Sequence, residues 1–239
     1  MTSNHGGLNT PSPKSRSRSK TRTRRTRKID AQFDKLSASA INHDHRRKVR
    51  EIVTVSGQNP RGHYPSTKGK RLKYESLIEQ DLLLVLEVAS DVSKISTQPV
   101  VLNFENDAGV LRYTPDILAR ILDEDFYVEV KPKTFASNPD VAARMKKVIV
   151  HMRESNLKFF IIVCEDLRAD GLQDMLRILL AKRPAPGRYD PRRNATTWGP
   201  PGSELSDPEL TARWLNAQTI CNELLQRVMK RDPDSLFPI

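Results

Sequence analysis

FYVEVKPKTFASNPDVAARMKKVIVHMRESNLKFFIIVC, residues 126–164, passes from one structural period to another and back. Phe126–Lys131 alternates as a strand does, so Glu129 and Lys131 share one face while Val128 and Val130 point to the other. Pro132 ends that strand. Asn138-Pro139 supplies an N-cap and a first-turn proline for a helix over Asp140–Glu154. Phe159–Cys164 then runs apolar without interruption, the pattern of a buried parallel strand. Strand, helix and strand in this order predict a right-handed crossover, and with it an α/β fold in which helices flank a mixed sheet.

Working toward the N-terminus, Ile117–Leu122 is too short to assign and is followed by the acidic turn Asp123–Asp125. Ile95–Phe104 and Val110–Thr114, joined through Glu105–Gly109, read as a hairpin, with Pro99 marking an edge or a bend. Tyr74–Ala89 (YESLIEQDLLLVLEVA) sets Leu77, Leu82, Leu83 and Leu86 on one helical face. Toward the C-terminus, a helix over Gly171–Lys182 precedes a Pro/Gly-rich loop from Pro184 to Gly202. A last helix follows, with a capping-box pattern at Ser206, Pro208 and Glu209 and an apolar face of Leu210, Trp214, Ile220, Leu224, Leu225 and Val228. Three regions result: a basic arm over 1–50, a core over 51–168, and a helical C-terminal extension over 169–239 that contains the 184–202 loop.

The chain has 239 residues and a formal charge of +11, but the charge is unevenly spread. Residues 1–73 hold 19 of the 40 lysines and arginines and only four acids, so the remainder is net acidic. Ser15–Lys28 (SRSRSKTRTRRTRK) has no apolar period and is expected to be disordered in isolation, with Arg22, Arg24, Arg25, Arg27 and Lys28 as contacts to phosphate backbones. Cys164 and Cys221 form no disulfide framework or zinc spacing, which suits a reducing, cytoplasmic setting. The longest apolar run, Leu82–Leu86, is far too short to span a membrane.

No glycine-rich phosphate loop, G-x-S-x-G or HExxH occurs, and three of the five histidines lie in the arm. What remains is an acidic group: Glu79 on the first helix, Asp116 after the Val110–Thr114 strand, and Glu129 with Lys131 on the next strand. Should Asp116 meet that strand, two carboxylates would offer hard oxygen ligands suited to Mg2+ or Mn2+, with Lys131 beside the bound water. Phosphodiester hydrolysis needs such a set, because the attacking water must be acidified and the charge growing on the phosphate neutralised. Each motif alone is also what a solvated ion pair or a turn would show.

Taken together, Ser76–Leu83, Ser96-Thr97-Gln98-Pro99, Tyr113–Asp116 and Val128–Pro132 resemble the PD-(D/E)xK nuclease superfamily, with its restriction-endonuclease-like fold. They are more specifically similar to the TnsA transposon-end endonucleases, over roughly Tyr74–Cys164. The resemblance implies a Mg2+-dependent DNA endonuclease with Glu79, Asp116 and Glu129 as catalytic metal-site carboxylates and the Val130 backbone as a further ligand. It gives Lys131 a role in assisting the nucleophile and puts Gln98 nearby in support; Glu75 competes with Glu79 for the helix role. It also implies double-stranded transposon ends as substrate, cut at the 5' ends. The implied partners are a TnsB-like transposase of the DDE type and an AAA+ regulator, in a bacterial cytoplasm. Another nuclease of the superfamily, serving restriction, repair or a phage, would use the same residues. A DNA-bound assembly factor with a merely structural acidic cluster is the reading from a different class.

Overall fold

The computed structural model describes residues 60–106, 109–181, 183 and 207–237. The arm with its Arg22–Lys28 cluster, the Pro/Gly-rich loop and Ser206 lie outside them.

Two short strands, β1 (Gly62–Tyr64) and β2 (Leu72–Tyr74), pair antiparallel as a ribbon ahead of the first helix. That helix, α1 (Leu77–Val88), begins three residues later than the apolar period predicts, because Ser76 takes the N-cap and its hydroxyl accepts from the Glu79 N–H. The chain continues through β3 (Val92–Thr97), β4 (Leu102–Asn106), β5 (Gly109–Tyr113), β6 (Ile117–Ile121) and β7 (Glu124–Lys131). Then come α2 (Pro139–Glu154), β8 (Phe159–Val163), α3 (Cys164–Arg168), α4 (Leu172–Ala181) and α5 (Pro208–Lys230). Asp207 caps α5 by accepting from the N–H groups of Glu209 and Leu210, in place of the expected Ser206.

The main sheet has the order β3-β6-β7-β8. β3 with β6 and β6 with β7 are antiparallel, whereas β7 and β8 are parallel across α2. Ile117–Ile121, unassigned from sequence, is a central strand buried along its whole length. Ile95–Phe104 is not one strand: β3 joins the sheet through β6, the chain bends at Pro99, and β4 pairs with β5 in a separate hairpin.

The sheet separates two apolar layers. On one face Ile95, Ile117, Val128, Val130, Phe160 and Ile162 pack against α1, α4 and α5. On the other, Leu118, Tyr127, Ile161 and Val163 pack against α2, the β4–β5 hairpin and Phe237. The chain is thus mixed α/β with its sheet flanked by helices, as the strand-helix-strand pattern predicts. No helix of the described residues is long and apolar enough to cross a membrane.

α1 is buried from Asp81 to Val88, more than one stripe of the helix. Two acids are buried with it. Asp81 accepts from Arg168 Nε at 2.7 Å and from Arg177 at 2.6 Å. Glu87 accepts from the Ser66 hydroxyl at 2.5 Å, the Thr67 N–H at 2.9 Å and Arg183 at 2.6 Å. Burial opposes ionisation of Glu87, but Arg183 and these donors outweigh it and hold the carboxyl below its usual range.

Candidate active site

β6 and β7 run antiparallel with Ile117 opposite Val128, so Asp116, one residue further along, lies opposite Glu129. Residues opposite each other in an antiparallel pair project to the same side, and this is how Thr114-Pro115-Asp116 and Glu129-Val130-Lys131 come together. Asp116 is fastened by main-chain bonds: its Oδ2 accepts the Val130 N–H at 2.9 Å and its carbonyl accepts the Gln98 N–H at 2.8 Å.

Glu129 is buried and carries a partner on each oxygen. The Lys131 ammonium pairs with Oε1, and the Tyr113 hydroxyl donates to Oε2 at 2.5 Å. Tyr113 ends β5 with its ring in the apolar layer, so the hairpin delivers one rigid donor to the site. The sequence signal for Tyr113 is its inward place in the alternation of β5, three residues before Asp116.

Glu79 approaches from the first turn of α1. Its Oε1 accepts from the Ser76 hydroxyl at 2.9 Å and its Oε2 from the Glu75 N–H at 2.8 Å, a variant of the capping box. Glu75 lies before the N-cap, outside the helix, and not one turn before Glu79 on the same helical face.

Electrostatics tie the four groups together. Burial, the Glu129 charge and, more weakly, Glu79 push the Asp116 carboxyl well above the ordinary aspartate range, against Lys131 and the Val130 N–H. Burial also raises Glu79, while Lys131 works in the opposite direction. For Lys131 burial alone would lower the ammonium, but Glu129, Asp116 and Glu79 outweigh it and raise it. Tyr113, wholly enclosed beside Glu129, is raised far above the usual phenol. Gln98 takes a left-handed backbone at φ 45° directly before Pro99, where sterics favour extended conformations. The Gln98–Asp116 main-chain bond holds this conformation, and such backbone clusters at functional sites.

Among the described residues no three histidine, cysteine, aspartate or glutamate side chains form a ready cage for a metal ion. The donors suit a hard divalent cation in kind, since they are carboxylate oxygens, and a cation would offset the burial and the Glu129 charge that disfavour ionisation of Asp116. Their present partners are the Ser76 hydroxyl, the Tyr113 hydroxyl, the Lys131 ammonium and main-chain N–H groups.

No curated protein matches the chain. Residues 89–163, however, match the family model for the TnsA-like endonuclease N terminal. The match covers β3 to β8 with Gln98, Asp116, Glu129 and Lys131, and stops short of Glu79. The sheet that brings Asp116 opposite Glu129 thus lies within the stretch that is similar to the TnsA-like endonuclease N-terminal domain.

Proposed function

We propose that this chain is a divalent-metal-dependent DNA endonuclease that hydrolyses phosphodiester bonds at the 5' ends of a transposon, acting with a TnsB-like transposase of the DDE type. The observation that carries this reading is the convergence of Asp116, Glu129 and Lys131 at one end of a sheet matched by a TnsA-like endonuclease model, with Glu79 in electrostatic reach.

Asp116, Glu129, Glu79 and the Val130 main chain would hold Mg2+ or Mn2+. When bound, the ion acidifies water and neutralises phosphate charge. Lys131 keeps its proton through the surrounding carboxylates and directs positive charge at the same point, where it assists the incoming hydroxide and balances the phosphate oxygens. The Tyr113 hydroxyl and the Asp116–Val130 bond keep two carboxylates in place before substrate arrives, so that less reorganisation is needed at reaction. The basic arm, through Arg22, Arg24, Arg25, Arg27 and Lys28, would retain duplex DNA by counterion release. An AAA+ regulator belongs to the same proposed assembly.

Cleavage of a supercoiled plasmid carrying the element's ends tests this, in Mg2+ and Mn2+, with and without the neighbouring transposase. Cuts at the 5' ends that need the transposase and disappear in Asp116→Ala and Lys131→Ala are the expected result. Metal-dependent cuts without the transposase would indicate a stand-alone nuclease. DNA binding without cuts under any condition would replace the proposal with the assembly factor.

A further inference from the structure

The β1–β2 ribbon plays no part in the chemistry above, yet its charge is one-sided. Residues 60–74 hold Arg61, Lys68, Lys70, Arg71 and Lys73 and no acid. Lys68 is spent internally, its ammonium donating to the carbonyls of Leu86 at 2.9 Å and Ala89 at 2.5 Å at the end of α1. Lys70, Arg71 and Lys73 are exposed.

The ribbon is also held rigidly. Leu72 between those cations is only 1% exposed and belongs to the main apolar layer. The Ile95 N–H donates to the Lys68 carbonyl at 3.1 Å, and a Cβ on Gly69 would stand 2.4 Å from the Ile95 carbonyl oxygen, so the turn lies directly against β3. Arg71 follows in a left-handed backbone at φ 53°.

Its position is specific. The Lys73 N–H donates to the Thr97 hydroxyl at 3.0 Å; Thr97 is joined to Gln98, whose N–H bonds the Asp116 carbonyl. Two residues beyond Lys73, the Glu75 N–H bonds the Glu79 carboxylate. The ribbon is therefore connected to both sides of the acidic site, and it follows the basic arm in the chain.

We infer that the ribbon is a duplex-backbone contact, in which Lys70, Arg71 and Lys73 hold DNA phosphates in register with Asp116 and Glu129. It differs from the arm in being a fixed surface beside the site. The inference deepens the endonuclease reading and rests on it for the register with the scissile bond. Charge complementarity selects the partner, since three exposed cations on a ribbon that itself carries no acid match a polyanion.

The test uses the full chain and a duplex of about 30 bp, by fluorescence anisotropy in EDTA over a salt series. The variant is Lys70→Gln, Arg71→Asn and Lys73→Gln, with asparagine chosen because it tolerates the left-handed backbone. Losing three phosphate contacts should flatten the slope of log K against log salt by about 2.7, so the variant's affinity should fall about 40-fold less than the wild type's between 50 and 200 mM salt. Lys70→Arg with Lys73→Arg should restore the slope, and single Lys70→Gln and Lys73→Gln chains give the same reading should the triple variant fail to fold. An unchanged slope in the folded single and triple variants overturns the inference. Plasmid cleavage separates the two readings: wild-type cutting with no ribbon effect removes the ribbon alone. A ribbon-dependent slope without cutting removes the nuclease reading and leaves the phosphate contact standing.

Discussion

Glu79 is drawn in two directions, toward capping α1 and toward the acidic site, and two substitutions separate these roles. Ser76→Ala removes the hydroxyl that accepts the Glu79 N–H and donates to Glu79 Oε1, but leaves the carboxylate in place. Loss of an N-cap serine costs about 1 kcal/mol. For a described fold of about 150 residues, that lowers the thermal midpoint by roughly 2–4 °C. Glu79→Gln keeps an oxygen for the Glu75 N–H and a side chain that capping boxes accept, so its midpoint should move by about 1 °C or less. Cleavage should respond in the opposite order. A lost metal-site carboxylate removes several kcal/mol of charge stabilisation, which corresponds to a rate loss on the order of 100-fold or more. Ser76→Ala should stay within about 3-fold of wild type, since a cap worth 1 kcal/mol changes the folded fraction little well below the midpoint. Differential scanning fluorimetry and single-turnover cleavage on the same preparations decide the matter. Glu79→Gln cutting at the wild-type rate while melting like Ser76→Ala would make Glu79 a cap and nothing more.

In metal-free buffer, Asp116→Asn should melt above wild type by a margin that grows with pH. A carboxyl whose folded value is raised contributes stability below its ordinary value, 3.8, and loses it as pH rises through the folded value; asparagine has no such loss and its oxygen can still accept the Val130 N–H. A wild-type midpoint that rises over Asp116→Asn with pH would contradict the assigned burial of the charge and its repulsion by Glu129. Glu87→Gln leaves Arg183, only 14% exposed, without its carboxylate, and should cost about 3 kcal/mol, or 6–12 °C in the same melt. A change under about 2 °C would show that Arg183 finds water instead. Replacing Arg22, Arg24, Arg25, Arg27 and Lys28 by glutamine should flatten the salt slope of DNA binding by up to about 4.5, and an unchanged slope would remove the arm from the interface.

What the sequence displayed was local. Alternation in Phe126–Lys131 and the continuous apolar run before Cys164 made two parallel strands readable, because buried strands carry their period or its absence on the surface of the text. The run Ile95–Phe104 misled because nothing but Pro99 separates the polar Ser96–Gln98 half from the apolar Val100–Phe104 half, and only tertiary pairing shows that β3 and β4 belong to different sheets. Ile117–Ile121 was opaque for a related reason: a five-residue strand covered on both faces has no polar side to alternate with. At the site, Asp116, Glu129 and Lys131 could be found from motif spacing, and the structure gives the register that joins them. Ser76-Leu77-Ile78-Glu79 has the spacing of a capping box as well as an acid of the site, and the two roles share one side chain. Nothing near Asp81 or Glu87 in sequence announced their partners, since Arg168, Arg177 and Arg183 arrive some 90 residues later.

Those distant arginines govern how the chain can be shortened. A fragment trimmed at the end of β8 would contain every residue of the acidic site and the whole matched stretch, and by motif would look complete. It would also strand Asp81 inside α1 without Arg168 and Arg177, and Glu87 without Arg183, on the helix whose first turn presents Glu79. Such a fragment should come out of expression insoluble, and a minimal catalytic unit has to run at least through Arg183.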